Sequence, residues 1–251
     1  MRNVTMALAV AALAFTGWAA KGQEQAPDTL AQARAAYEGR AATAQAKASV
    51  ELYGKALKAD PKSYEAAWEG SRACYFYGHY VIPEASDKEL LSLFQEGIDR
   101  ARAAIALNPK GAEGHFWLGV LDGVYGETKG IFKSLSMVPE IKQEMAKCLE
   151  IDPAVEGYGP DRVLGRLYYK LPGFKGGDNK KSIEYLERSL KGAPTNALTQ
   201  LYLAETYKSE GMKDKALEMA KAIIAMTPDP RWLPEHPSIK AQAQKYLNKW
   251  S

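Results

Sequence analysis

Apolar residues recur at intervals of three and four along most of the chain after residue 28, as in helices that bury one face. No stretch alternates apolar and polar residues with the period of two that a half-buried strand requires. Ser86 and Asp178 suit N-caps, and Pro139 and Pro160 suit first helical turns. The pattern predicts eleven helices, near residues 29–38, 42–59, 62–79, 87–107, 111–125, 139–150, 160–170, 179–191, 195–209, 213–226 and 237–249.

A proline follows a helical segment at roughly regular intervals, at Pro27, Pro61, Pro109, Pro153, Pro194 and Pro228. The first and last intervals are 34 residues long, which is the period of the tetratricopeptide repeat. The three middle units are longer. We interpret their additional residues, including the segment 130–139, as insertions between or before the paired helices.

Each unit also places a large residue beside a small one in its first helix: Trp68 and Gly70, Leu118 and Gly119, Leu164 and Gly165, Leu203 and Ala204. The small residue lets two helices approach each other, and the large one fills the space between neighbouring pairs. The sequence therefore predicts an all-α fold, a right-handed α-solenoid of about five tetratricopeptide-like helix pairs with a C-terminal capping helix. Residues 23–251 form a single repeat domain in this interpretation.

Residues 1–22 have the layout of a signal peptide. Arg2 precedes an apolar stretch at 6–15, and small residues follow before the polar run at 21–25. We expect an exported, periplasmic protein, with an uncleaved anchor as the alternative. The segment has no lipobox cysteine that could carry a lipid. Export would allow a disulfide between Cys74 and Cys148, although both lie in apolar helical segments where buried free thiols are common.

Composition argues against several functions. The 33 basic and 30 acidic residues are interspersed, which gives no basic stripe for nucleic acid. None of the three histidines has a second metal ligand at helical spacing. The segment 173–182, GFKGGDNKKS, lacks the glycine directly before lysine that a phosphate-binding loop requires. We therefore predict a binding protein without cofactor, metal or catalytic residues.

The segments HFWLGVLDGVYG, AKCLEIDP and YGPDRVLGRLYYKLPGFKGGDNKKSIEYLERSL resemble the T-component (TatT-like) of tripartite ATP-independent periplasmic (TRAP) transporters. The central part also resembles the helical-repeat domain of regulator of microtubule dynamics proteins. The first resemblance covers residues 112–228 and implies a periplasmic scaffold that associates with a solute-binding protein, as an oligomer around a hydrophobic cleft. T-components are typically lipoproteins, and this chain lacks the cysteine for that modification.

Aromatic residues are concentrated in the central repeats. Successive residues on a helix are 100° apart, so neighbouring aromatics cannot all face the core, and some must line the groove. Arg162 and Arg166 lie four apart beside them, where they could bind an anion or form structural ion pairs. The candidate binding residues are Tyr77, His115, Trp117, Tyr125, Phe132, Tyr158, Arg162, Arg166, Tyr169 and Phe174.

Three functions fit this pattern. The first is a scaffold that binds a partner protein along its concave face, and the second is a carrier of a small hydrophobic or amphipathic ligand in the aromatic cleft. The third is an assembly factor for envelope proteins. A closed apolar cavity would favour the carrier, and an open polar groove would favour the protein partner.

Overall fold

The computed structural model describes residues 28–250, which form eleven α-helices and contain no β-strand. The all-α prediction is confirmed. The predicted signal peptide lies outside the described residues. None of the described helices is both long and apolar enough to cross a membrane. The helices are α1 (Thr29–Glu38), α2 (Thr43–Ala59), α3 (Tyr64–Phe76), α4 (Asp87–Leu107), α5 (Ala112–Lys129), α6 (Ile131–Ile151), α7 (Val155–Lys170), α8 (Asn179–Gly192), α9 (Ala197–Ser209), α10 (Lys213–Ala225) and α11 (His236–Trp250).

Consecutive helices pack as five pairs, α1 with α2 through α9 with α10, and α11 covers the last pair by contacting α9 and α10. The core is divided into clusters rather than gathered at one centre. One cluster joins α5, α6 and α7 through Trp117, Met145 and Leu164, and another joins α9, α10 and α11 through Leu201, Ile223 and Ile239. This division is the expected consequence of stacking helix pairs, because each pair buries its apolar face only against its neighbours.

Three of the six regularly spaced prolines follow an aspartate or asparagine that caps the turn. The Oδ1 atoms of Asp60, Asn108 and Asp152 each accept a hydrogen bond from the backbone N–H two residues later, at 3.0, 3.2 and 2.9 Å. Each of these residues ends the second helix of its pair. The proline that follows has no N–H to continue a helix. Together the two residues turn the chain into the next pair.

Two of the small residues in the repeat pattern lie at close helix contacts. A Cβ atom on Gly119 would lie 2.6 Å from the Met145 side chain of α6, and one on Gly165 would lie 2.6 Å from Leu186 of α8. Both contacts are within a helix pair. The small residues therefore set the separation of the paired helices, as the repeat pattern predicts.

The interpretation of residues 130–139 as an insertion outside the helices is wrong. Helix α6 begins at Ile131, eight residues before its predicted start, and Pro139 lies inside it rather than in its first turn. Gly130, with φ +109°, separates α6 from α5. Met137 and Ile141 are buried in the cluster with Trp117, and this burial outweighs the hydrogen bond that Pro139 cannot donate.

Cys74 and Cys148 are free thiols buried in two different clusters. Burial raises the pKa of the Cys74 thiol to about 12. A thiol with such a pKa forms little thiolate near neutral pH, so it is a poor nucleophile. Both cysteines therefore act as small apolar residues of the core.

Candidate functional site

The two ends of the solenoid meet. Arg40, in the turn after α1, is buried and lies beside Glu235, just before α11. Its Nη2 atom donates to Glu235 Oε1 at 3.1 Å and to the Arg231 carbonyl at 2.6 Å. The guanidinium also lies over the Tyr37 ring, 4.3 Å from its centroid. Contact between residues 195 positions apart joins the two ends of the superhelix across its concave face.

The concave face, bridged at its ends by Arg40 and Glu235, contains a cavity of about 970 Å³ that is partly open to solvent. One wall is mainly apolar and comes from α5 and α6. A second wall comes from α7, α9 and α11 and is rich in arginine, tyrosine and glutamate. The apolar wall includes Val120, Val124, Leu135, Val138 and Ile141, and the polar wall includes Arg162, Arg166, Tyr202, Glu205 and Tyr246.

A group of stacked aromatic rings joins the two walls. Helix α3 continues into a π-helical turn, Tyr77–Val81, and the combined segment presents pairs of rings four residues apart to the cavity. Tyr75 stacks on His79 with ring centroids 5.1 Å apart, and Phe76 stacks on Tyr80 at 5.5 Å. Tyr75 also lies 5.5 Å from the ring of Trp117. Single π-helical turns inside α-helices are frequent at functional sites.

Enclosure by protein shifts the protonation of this aromatic group. Burial raises the pKa values of Tyr75 and Tyr80 well above the ordinary range, because the phenolate would lose its hydration. Burial lowers the pKa of His79, although that ring is accessible from the cavity. The tyrosines therefore present neutral hydroxyls, and His79 is held mainly as neutral imidazole near neutral pH.

The polar wall is organised around Glu205 of α9. Its carboxylate accepts hydrogen bonds from Arg166 and from the Tyr246 hydroxyl. The Arg166 guanidinium also lies 4.2 Å from the centroid of the Tyr202 ring. The charge of Arg166 is thus neutralised within the wall, and α7, α9 and α11 are tied together there.

A left-handed turn begins α7. Glu156, Gly157 and Tyr158 have φ values of +50°, +64° and +56°, and the right-handed helix follows. Arg162 donates to the carbonyls of Glu156 and Gly157, both at 3.1 Å, and Ser189 Oγ donates to the carbonyl of Tyr158 at 3.0 Å. Non-glycine residues in this conformation cost of order 1–3 kcal/mol each and persist where their surroundings hold them.

Three of the ten predicted binding residues, Trp117, Arg162 and Arg166, line the cavity. Phe132 and Phe174 do not line the cavity; their side chains are 89% and 83% exposed to solvent.

The other five predicted residues lie outside the cavity wall. Tyr77 borders a shallow depression with Ser86 and Leu93 on another surface. His115 is buried, with Nδ1 2.6 Å from Glu144 Oε2. Tyr125 packs beside core clusters, Tyr158 packs on Gly192, and Tyr169 lies under the Arg166 guanidinium.

Several lining residues were absent from the predicted set. Tyr75, Phe76 and Tyr80 belong to the aromatic run of α3, and only the rotation of that helix distinguishes them from Tyr77. Tyr202 and Tyr246 come from repeats that carry no aromatic run. No local sequence pattern marks Arg40 and Glu235 as partners, because their interaction depends on the curvature of the entire solenoid. No group of His, Cys, Asp and Glu in residues 28–250 has an arrangement that could hold a metal ion.

Comparison with solved structures supports the repeat fold. The chain is similar to TTC0263, a thermophilic TPR protein of Thermus thermophilus, with a TM-score of 0.64 and 18% identity over 88% of this chain and 99% of the other. It is also similar to pilF of Pseudomonas aeruginosa, with a TM-score of 0.51 and 16% identity over 88% and 91% of the two chains. At these identities the similarity shows the fold alone.

Family comparisons divide the chain into two matched parts. Residues 174–244 match the tetratricopeptide repeat family, which confirms the repeat class predicted from the proline spacing. The narrower resemblance to the TRAP T-component stays a prediction. No curated protein matches the chain. Residues 29–171, more than half of the chain, match the family described as regulator of microtubule dynamics protein 1-3, and the chain therefore belongs to that family.

Proposed function

We propose that this protein binds a small amphipathic ligand in the cavity on its concave face. The observation that carries the proposal is the closure of that face by Arg40 and Glu235. An open tetratricopeptide groove suits an extended protein segment. A cavity of about 970 Å³ between the joined ends is within the ~300–1,000 Å³ range of pockets for small molecules.

The composition of the walls supports an amphipathic ligand rather than a purely apolar one. The wall from α5 and α6 offers aliphatic side chains, and the wall from α7 and α9 offers guanidinium groups and tyrosine hydroxyls. Ligand pockets commonly combine a mainly apolar surface with a few polar groups that orient the ligand. A molecule with one polar end and one apolar end would satisfy both walls.

Gly123 allows a direct test of the cavity. It lies on α5 and lines the cavity, and a Cβ atom placed there meets nothing within 4 Å. Gly123→Trp should therefore fill part of the cavity without disturbing the helix, since tryptophan is a better helix former than glycine. We expect wild-type protein to bind the neutral probe N-phenylnaphthylamine saturably at one site. Gly123→Trp should weaken that affinity at least about tenfold, or ~1.4 kcal/mol.

Gly123→Ala is the matched control. It gives the same helix a better helix former but adds only a methyl group. It should retain wild-type affinity in the same fluorescence titration, and both variants should keep the helical circular dichroism signal. Equal binding by the Trp and Ala variants would place the probe elsewhere on the protein and contradict the proposal.

A protein partner is the second candidate function. The repeat class is suited to protein binding, and Ile131, Phe132 and Phe174 expose large apolar side chains to solvent. In this alternative the chain is an exported scaffold. Its partner would be a periplasmic solute-binding protein, as for a T-component, or an envelope protein during assembly. Native mass spectrometry distinguishes the candidates, since an adduct of protein mass indicates a partner and one of a few hundred daltons indicates a small ligand.

A further inference from the structure

Arg162 is a buried cation without an acidic partner. It is 7% exposed, and its two terminal nitrogens donate only to the carbonyls of Glu156 and Gly157. No carboxylate of residues 28–250 lies within 4.0 Å of its guanidinium. Burial lowers the pKa of Arg162 because the charged form loses hydration. Buried charges in proteins are normally paired, so this one is an exception that needs an explanation.

The acidic groups of the same wall are paired with other cations. Glu156 lies 3.8 Å from Arg72, and Glu205 accepts from Arg166. Glu156 also acts electrostatically on Arg162 from beyond ion-pair distance, and the other groups that do so are the hydroxyls of three cavity tyrosines, Tyr75, Tyr80 and Tyr202. Burial raises the pKa of each of these tyrosines, so none supplies a negative charge near neutral pH.

Trp117 provides a buried donor without an acceptor. Its side chain lines the cavity at 6% exposure, and its indole Nε1 has no hydrogen-bond partner. The ring lies 5.5 Å from Tyr75, which interacts with Arg162. A buried N–H without a partner costs roughly 1–3 kcal/mol, and a bound acceptor would remove that cost.

We propose that Arg162 binds the anionic end of the cavity's ligand and that this ligand is an amphipathic monocarboxylate. The inference rests on the proposed function. The carboxylate lies at Arg162, within the group of Tyr75 and Trp117. The apolar body lies along the face of α5 that carries Val120 and Val124. This one ligand neutralises the charge of Arg162 and offers an acceptor to the indole N–H of Trp117.

The charge balance selects a monoanion. Arg162 supplies one uncompensated positive charge, which a carboxylate neutralises. A phosphomonoester dianion would add a second negative charge to a cavity that the Glu156 and Glu205 carboxylates also line. Nearby charges of the same sign disfavour the ionised form of an acid. The carboxylate is therefore preferred to the phosphate at this position.

Calorimetric titration of the full chain with four probes of the same chain length tests the ligand class. The probes are decanoate, decanol, decyl phosphate and decyltrimethylammonium. We expect decanoate to bind at least about tenfold more tightly than decanol, the advantage of a hydrogen bond to a charged group. Decanoate should also bind more tightly than decyl phosphate, and decyltrimethylammonium should bind most weakly.

Arg162→Gln tests the residue. The amide can still donate to one carbonyl of the left-handed turn but carries no charge. Decanoate should lose its advantage over decanol, and the affinity for decanol should stay within about twofold of wild type. The matched control is Arg102→Gln. It removes the same positive charge from an exposed position of α4 outside the cavity lining, and it should keep the preference for decanoate.

The outcomes separate the inference from the proposed function. If N-phenylnaphthylamine binds but decanoate has no advantage over decanol in wild type, the cavity binds ligands and the anion site is refuted. Tighter binding of decyl phosphate overturns the choice of carboxylate. An undiminished preference in Arg162→Gln refutes the role of Arg162, and the wild-type comparison stands even if that variant fails to fold. If no neutral or decyl probe binds, both proposals fall.

Discussion

Asp122 is the residue in the described core with the least favourable surroundings. It is fully buried on α5, and neither of its carboxylate oxygens has a hydrogen-bond partner in the structure. Burial raises its pKa to about 7, and Glu140 adds to that rise. The folded protein therefore holds a proton on Asp122 at pH values where the unfolded chain, with a carboxyl pKa of about 3.9, has released it.

This difference predicts a pH dependence of stability. Between about pH 4 and pH 7 the folded state binds more protons at Asp122 than the unfolded state. The free energy of unfolding should therefore fall as pH rises, by up to about 1.4 kcal/mol per pH unit from this group. Asp122→Asn removes the ionisation. We expect the variant to equal wild type near pH 3, below both pKa values, and to exceed it in stability by an amount that grows between pH 4 and pH 7 and is largest at pH 8, as measured by urea unfolding.

Asp99→Asn is the control, because Asp99 is an exposed residue of the neighbouring helix α4. It should leave the difference in unfolding free energy between pH 5 and pH 8 close to the wild-type value. If Asp122→Asn is no more stable than wild type at pH 8, the carboxylate of Asp122 has a compensating partner and the argument from burial is wrong.

At the residue scale, the sequence could predict part of the cavity lining. Arg162 and Arg166 share a helix face because they are four residues apart, and both line the cavity. The sequence could not tell in the same way that Tyr75 lines the cavity and Tyr77 does not. An aromatic run indicates that some rings leave the core, but only the rotation of α3 against its neighbours decides which.

At the element scale, the left-handed turn at the start of α7 contacts residues 230–235, the segment that carries Glu235. Gly157 lies under the indole of Trp232, and a Cβ atom there would lie 2.3 Å from that ring. Trp232 ends the short helical turn Pro230–Trp232, three residues before Glu235. The conformation of Gly157 and its close contact therefore help position the segment that meets Arg40.

We expect Gly157→Ala to destabilise the protein by about 2 kcal/mol or more. Left-handed φ costs alanine roughly 1–2 kcal/mol, and the displaced Trp232 ring adds packing loss. Urea unfolding measures the total. In hydrogen-exchange measurements, Gly157→Ala should exchange faster than wild type in residues 230–236, whereas α3 and α4 should exchange at the wild-type rate.

Gly176→Ala separates strain from contact. Gly176 also has positive φ, +87°, but a Cβ atom there meets nothing within 4 Å. It should show the conformational cost alone, without faster exchange at 230–236. Equal effects of the two substitutions would show that the Trp232 contact contributes nothing to stability.

Helix positions could be predicted well where local chemistry marks the ends. Asp178 caps α8 by accepting from the N–H groups of Lys180 and Lys181, and Ser86 caps α4. The start of α6 could not be predicted, because Pro139 resembles a first-turn proline. Tertiary burial of Met137 extends that helix across the proline. The left-handed turn also carries little local signal, since Glu156 and Tyr158 are unusual residues for it.

At the scale of the whole molecule, the repeat class follows from the proline period, whereas the closure does not. Each helix pair adds a small rotation, and the sum over five pairs decides whether the ends meet. No single spacing records that sum. Arg40 and Glu235 are therefore ordinary charged residues in the sequence and a buried ion pair in the fold. Burial raises the pKa of Glu235, although Arg40 opposes that shift.

The closed ends distinguish a ligand cavity from an open groove, and a crystal structure of the full chain with decanoate tests that distinction most directly. We predict decanoate inside the cavity, with its carboxylate within hydrogen-bond distance of Arg162 and its chain along Val120 and Val124. Arg40 and Glu235 should remain paired beside it. Separated ends, or decanoate bound only on the outer surface with the cavity empty, would contradict the account.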